Sequence, residues 1–353
     1  MEDTDDSSLV LADDNSSDDG SNYTEWYLDE EILNRLKQND PSIEKLDIRF
    51  NTDDEDEFDA NDIDWEEEGI SAISKNTHIK SLSIEMWPSG AVDANASEEN
   101  VKLFLQAVSN NRSIRHFTVN GDDVDSGDMM ELLSPCFQHN DVLSFQVNYF
   151  HLTSRSVSLM GNALSKGRSL RKFKLENIDG NGDDQDAATA FAAAVIKTKS
   201  LQSLDMRFVK SNNWRSLLTP LLNSTDSVLE KLVLRNSNID DEGLTGLVGA
   251  LGNNSSLREL RIGENESITK AGWVSLFGYL GNPISLLEHV DLTGQRSYVI
   301  GATYIITDDL AYALARAICT NTKLKRLNLT NNYSIKPAGW RTFFNTLRNC
   351  NLH

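Results

Sequence analysis

Between Val228 and Leu257 the chain reads VLEKLVLRNSNIDDEGLTGLVGALGNNSSL, and the period of its apolar positions changes halfway. Leu229, Leu232 and Leu234 follow a 1-4-6 spacing, which puts alternate residues of a short strand on one face. Past a polar turn and Ile239, the residues Leu244, Leu247, Ala250 and Leu251 recur at three- and four-residue steps. That is the apolar stripe of an amphipathic helix. Asp240 or Asp241 can cap its start, and Gly252-Asn253 can end it.

The same triplet recurs at Ile43/Leu46/Ile48, Ile79/Leu82/Ile84, Ile114/Phe117/Val119, Val142/Phe145/Val147 and Leu170/Phe173/Leu175. It continues at Leu201/Leu204/Met206, Leu229/Leu232/Leu234, Leu257/Leu260/Ile262, Leu287/Val290/Leu292 and Leu324/Leu327/Leu329. Successive first positions differ by 36, 35, 28, 28, 31, 28, 28, 30 and 37, so 28 is a floor and every departure is longer. A minimal strand-helix unit with insertions in its loops produces that series. Small polar turns such as VSNNRSI, LGNNSSL and CTNTKL stand before the first strand position. SITKAGWVSLFGYL and SIKPAGWRTFFNTL lie 67 positions apart, two whole units, with Ala-Gly-Trp at a helix start. Trp273 and Trp340 are therefore expected to be packing residues.

The pattern Leu-x-x-Leu-x-Leu-x-x-Asn, followed by a helix, resembles the leucine-rich repeat, and the 28-residue form resembles its ribonuclease-inhibitor subclass. Asn265 and Asn332 match the signature asparagine, whose side chain in that family bonds backbone groups across the turn. Ser237, Asp122, Gln295, Phe150 and Val209 stand at that position elsewhere. The resemblance spans about residues 24–353 and implies an α/β fold: a right-handed leucine-rich-repeat solenoid, or horseshoe, with a concave parallel β-sheet and outer helices. Each unit of such a stack buries its apolar face only against its neighbours. Residues 24–40, with Trp26, Ile32, Leu33 and Leu36 on one side, are expected to form a capping helix, followed by about ten repeats. No cap is evident beyond the last strand, and Leu352 stands where an eleventh would begin. The open edge would allow an edge-to-edge homodimer, and a sequence cut short of its natural end would explain it equally.

Charge divides the chain. The net charge is −21, yet residues 1–68 hold 26 acids against 4 bases, and the remainder 28 against 29. Residues 1–23, rich in Asp and Ser, are expected to be a disordered acidic arm. On the concave face the register gathers Tyr149, Lys172, Lys174, Arg207, Phe208, Lys231, Arg235 and Arg261, with Glu176, Asp205, Glu259 and Glu264 between them. Arg and aromatic residues dominate protein interfaces, so this cluster is the candidate protein-binding site. Against that stands a solvated sheet face of cross-strand ion pairs. The acidic arm would shield the cluster until an acidic partner displaced it. The insertion GQRSYVIGATYIITDD is apolar enough to pack on the last repeats.

Other chemistries find little footing. DGNGDDQDAATA, from Asp179, fails as a calcium loop because Asp184 replaces the required glycine and Ala190 the bidentate glutamate. His289 and Asp291 share a sheet face with no nucleophile beside them. No phosphate loop or zinc spacing is present, so the chain is not expected to be an enzyme or to need a cofactor. A neutral body and an acidic arm disfavour nucleic acid. No apolar run reaches membrane-spanning length, and the N-terminus lacks signal-peptide character. Cys136, Cys319 and Cys350, odd in number and scattered, fit a reducing compartment, so a cytoplasmic or nuclear location is expected. The expected function is a scaffold for an unidentified protein partner. The alternative is a GTPase activator, since the chain is similar to Ran GTPase activators in repeat length and in having an acidic segment. Arg207, Arg235 or Arg49 would then order the switch machinery.

Overall fold

The architecture comes from a computed structural model. It describes residues 30–50, 65–86, 103–121, 142–148, 168–176, 198–207, 214–224, 226–294 and 306–350, with short pieces at 135, 151–152, 159–162, 164–165, 179–180 and 195–196. Ten of the twelve strands among the described residues correspond to the ten triplets. They are β1 (Lys45–Phe50), β2 (Ser81–Met86), β3 (His116–Gly121), β4 (Ser144–Asn148), β6 (Lys172–Glu176), β8 (Ser203–Arg207), β9 (Lys231–Val233), β10 (Glu259–Arg261), β11 (His289–Asp291) and β12 (Arg326–Asn328). All pair in parallel, in chain order, as one sheet. β5 (His151–Leu152) and β7 (Asp179–Gly180) form a separate pair, and this is where the calcium-like segment begins; its remainder lies outside the described residues.

One register holds throughout. Leu46 pairs with Leu82, and the row continues through Phe117, Phe145, Phe173, Leu204, Leu232, Leu260 and Val290 to Leu327. In the first nine units, positions 1, 4 and 6 are all 4% exposed or less. Phe117, Phe145 and Phe173 follow one another with ring centroids 5.6 and 5.9 Å apart. Slipping one strand by a residue would turn its apolar set to water, so burial fixes the register.

The helices cover the apolar face. Those given with their full range are α1 (Glu30–Lys37), α2 (Trp65–Lys75), α3 (Trp214–Asn223), α4 (Asp241–Leu251), α5 (Lys270–Leu280), α6 (Asp308–Thr320) and α7 (Pro337–Arg348), and residues 103–110 are helical as well. Neighbours pack in sequence: α1 on α2, and α3 through α7 each on the next. α4 buries Leu244, Leu247, Ala250 and Leu251, the stripe read from its spacing. Leu33 and Leu36 of α1 are buried, whereas Trp26 lies outside the described residues. Trp273 is fully buried beside Phe277, and Trp340 is half-buried between Phe343 and Phe344.

Polar side chains tie each unit to the one before it. Asp240 caps α4 by accepting from Gly243 N at 2.8 Å. Asp241 instead accepts from the backbone N of Thr269 at 2.8 Å and from its hydroxyl, just ahead of α5. Asp308 repeats this toward Lys336 N at 2.7 Å, ahead of α7. At the helix-to-strand turns Asn111 donates to the carbonyls of Ile73 and Asn76, at 2.7 and 2.8 Å. Asn254 and Asn321 donate likewise to Leu222 O and Leu280 O, at 2.9 and 2.6 Å. Each of these amides satisfies carbonyls that the preceding helix end leaves free.

One expectation needs amending, and one falls largely outside the described residues. Cys319 and Cys350, read as unpaired thiols, form a disulfide with Cα atoms 5.5 Å apart, joining the end of α6 to the turn after α7. Counting cysteines could not reveal this, because stacking α7 on α6 is what brings the two residues together. The apolar insertion lies outside the described residues from 295 to 305, and only its last apolar residue, Ile306, is seen, fully buried.

Candidate functional site

With positions 1, 4 and 6 turned toward the helices, positions 3, 5 and 7 stand on the opposite sheet face. Lys172, Lys174, Arg207, Lys231 and Arg261 all lie on that face, on four adjacent strands, and Arg235 follows β9. Register sets Lys172 beside Ser203, then Lys231 and Glu259, while Lys174 lies beside Asp205 and Glu176 beside Arg207. Tyr149 and Phe208 fall outside the described residues.

Most of these cations are already partnered. Arg207 grips Asp205 with Nε at 3.0 Å and Nη2 at 2.7 Å. Lys174 pairs with Glu176. Lys231 reaches Oε1 of Glu259 at 3.2 Å, and Arg261 donates to the same oxygen. Arg235 Nη2 reaches Glu264 Oε1 at 2.6 Å across two units. Only Lys172 among the six described cations has no carboxylate partner, and it is exposed.

The backbone sets up the Arg235–Glu264 pair. Asn236, Glu264 and Asn331 stand at position 8 of their units, and all three have left-handed φ, of 50°, 63° and 64°. Asparagine tolerates that region, while for glutamate it is uncommon. The turn at Glu264 places its carboxylate on the guanidinium of the preceding unit. Asn265 follows with the bonds the resemblance implied: Nδ2 donates to Leu234 O at 2.7 Å and Ile262 O at 2.8 Å. Its Oδ1 accepts from Ser237 N at 2.9 Å and Ile239 N at 3.0 Å. Asn332 donates to Leu292 O at 2.8 Å and Leu329 O at 3.0 Å. Ser237 fills the position in its own unit by reaching back to Met206 O at 2.6 Å.

Electrostatics follows burial. Burial pushes the Asp205 carboxyl up, and the Arg207 guanidinium only partly opposes it. Burial also acts on Glu259, but Arg261 and Lys231 together outweigh it and hold that carboxyl below its usual range. His116, on β3, is held below the ordinary imidazole value by desolvation and by Lys172.

Polar groups not anticipated from charge flank this cluster. Asn148 Nδ2 donates to Asn120 Oδ1 at 2.6 Å, and Gln146 Nε2 to Asn148 Oδ1 at 3.0 Å. On the other side Asn328 donates to Thr293 Oγ1 at 2.9 Å, and Thr293 N to the buried Asp291 at 2.9 Å. Their signal was their place in the register, positions 5 and 7, rather than their chemistry. His289 is half-buried beside this set. Among the described residues no group of three or more His, Cys, Asp and Glu is arranged to hold a metal ion. No described helix is long and apolar enough to cross a membrane.

The comparisons bear on the scaffold. A family model described as "Leucine Rich repeat" matches residues 225–248, which run from the turn before β9 into α4. No curated protein sequence matches. Among solved structures the chain is similar to one from yeast, the complex of Rad7 and Elc1, at 14% identity. The match covers 78% of this chain and 68% of that one with a TM-score of 0.42. One unit matches the leucine-rich-repeat model, and the same strand register is carried through all ten described strands, which gives an α/β solenoid of stacked strand-helix units.

Proposed function

We propose that the chain is a protein-binding scaffold of the ribonuclease-inhibitor type, which reads its partner on the sheet face turned away from the helices. What supports the subclass is helix length: α4 to α7 run 11, 11, 13 and 12 residues, full helices rather than short turns. The observation that carries the binding reading is the ten-strand face itself, where charged side chains on β6, β8, β9 and β10 are locked by named partners. Such preorganisation lowers the ordering cost of association. A partner that offers a carboxylate to Lys172 and complementary groups to the Glu259 and Asp205 pairs would fit this face without rearranging it. Arg207 and Arg235 each spend guanidinium N–H groups on Asp205 and Glu264, and no comparison supports GTPase activation.

The test is affinity capture with the intact chain and with a Lys172→Glu/Lys231→Glu/Arg261→Glu variant of unchanged circular dichroism. Proteins retained by the intact chain should be lost by the variant. Identical capture by both would overturn the sheet-face reading.

A further inference from the structure

Position 3 of each unit forms one row across the sheet face. From β3 to β10 the register makes that row His116, Ser144, Lys172, Ser203, Lys231 and Glu259. Its centre is a notch. Ser203 stands between two lysines whose Cα atoms lie two strand spacings, ~10 Å, apart. A serine side chain is short, so the gap between the lysine stems stays open with a hydroxyl at its base. That hydroxyl makes no hydrogen bond among the described residues.

Positive charge at this place exceeds what the carboxylates neutralise. Lys172 is exposed and has no carboxylate partner among the described residues. Lys231 and Arg261 draw on one oxygen of a single carboxylate, Glu259. The surplus is two unit charges, one on Lys172 and one on the Lys231–Arg261–Glu259 group. Lys231 can turn toward the notch, because Arg261 at 2.5 Å keeps Glu259 paired. Desolvation first, and the charge of Lys172 after it, hold the His116 imidazole below its ordinary value, so Lys172 is felt two strands away. The nearby acids are engaged. Glu176 pairs with Lys174, and burial pushes the Asp205 carboxyl up against the opposing pull of Arg207. At the rim the exposed Glu230, before β9, is offset by the exposed Arg171, before β6.

We propose that the notch of Lys172, Ser203 and Lys231 takes a phosphorylated side chain of a protein partner. This rests on the sheet-face reading and narrows it to one chemical class of partner. A phosphate ester carries a charge of about −1.5 to −2 and three strong acceptor oxygens. It matches the surplus and can bond both ammonium groups and the hydroxyl at once. A carboxylate, with one charge, would leave one ammonium unanswered. The acids around the notch, Glu176, Asp205 and Glu259, admit one isolated dianion and repel a polyanion such as nucleic acid. Along the same row Ser144 and His116 are neutral hydrogen-bonding groups. The partner chain on that side of the phosphate should therefore be polar and uncharged.

The test is a library of peptides with phosphoserine fixed at the centre and varied flanks, selected on the immobilised full chain. The best sequence is remade with phosphoserine, serine or glutamate at its centre, and binding is read by fluorescence anisotropy. The phosphoserine form should bind roughly tenfold tighter than either of the others. Lys172→Gln and Ser203→Asp, each with unchanged circular dichroism, should cut that preference to about threefold or less. Lys323→Gln, away from the notch, should leave it intact. Equal binding of the three forms, or no peptide retained, overturns the proposal. So does a preference that survives both notch variants, or a single-stranded oligonucleotide that outcompetes the phosphopeptide. If the phosphoserine preference is absent while Lys172→Glu/Lys231→Glu/Arg261→Glu still loses captured proteins, the sheet face binds proteins and only the phosphate assignment fails.

Discussion

Gly272 of α5 stands directly against the carboxylate of Asp241, one unit earlier: a Cβ on Gly272 would overlap Oδ1 and press on Ile268. Gly339 of α7 has the same relation to Asp308. The repeated Ala-Gly-Trp is thus an interlock. The aspartate of one unit holds the backbone that opens the next helix, glycine leaves room for it, and tryptophan packs behind.

Gly272→Ala should therefore destabilise the chain by about 1–3 kcal/mol, the usual range for overpacking. Gly249 of α4 is the control, since a Cβ there meets nothing within 4 Å. Gly249→Ala should stabilise by about 0.4–1 kcal/mol, because alanine loses less backbone entropy in a helix. Urea denaturation of both variants reads the two signs. If Gly272→Ala costs as much in an Asp241→Ala background, the overlap is not its cause.

That interlock marks the limit of what the sequence could tell. Triplets, stripes and the Asn265 turn were legible because periodicity and a family signature expose them. Either aspartate at Asp240-Asp241 could be the cap, and only the structure shows that Asp240 caps its own helix while Asp241 serves the next. The candidate site was half legible. Spacing placed Arg207, Lys231 and Arg261 on one face correctly, but pairing depends on side-chain reach. Whether Arg207 turns to Asp205 or to solvent is settled by burial and rotamer, not by spacing. The Cys319–Cys350 bond was hidden for the same reason.

Position in the stack should decide the cost of a core deletion. Leu232 and Leu327 hold the same place in their units, but Leu232 is fully buried and Leu327 only half so. Leu232→Ala should cost about 2–5 kcal/mol, with the cavity left between two occupied neighbours. Leu327→Ala should cost clearly less and should loosen only the last unit, because stability adds locally along a repeat array. Hydrogen exchange would show this as faster exchange confined to residues after about 306. Equal costs at the two sites would contradict it.

Acid should loosen the other end. Arg35 Nε donates to Asp40 at 2.8 Å, and Ser42 donates from its backbone N and hydroxyl at 2.9 and 2.7 Å, tying α1 to the turn before β1. The Arg35 bond first, and the Ser42 bonds after it, hold the Asp40 carboxyl at about 2. An unfolded aspartate titrates near ~3.9. The folded value is the lower one, so this contribution is present above that pH and disappears as pH falls toward 2. Carbon-detected NMR titration should place Asp40 near 2, and Arg35→Ala should raise it toward the ordinary range. A midpoint near 4 in the unaltered protein would refute the link.

The disulfide gives the last repeat a redox dependence that its packing would not predict. Cys319 and Cys350 close a loop of 31 residues that contains β12 and α7, the part of the stack with the least apolar cover. Closing a loop of that size typically stabilises by about 2–4 kcal/mol. Alkylation under denaturing, non-reducing conditions should find one reactive thiol, Cys136, and three after reduction. Reduction should lower the melting temperature, and Cys319→Ser should lower it equally and abolish the response to reductant. Because stability adds along the stack, the early units should keep their exchange protection while α7 loses its own. Three free thiols in protein purified without reductant would remove the bond, and this prediction with it.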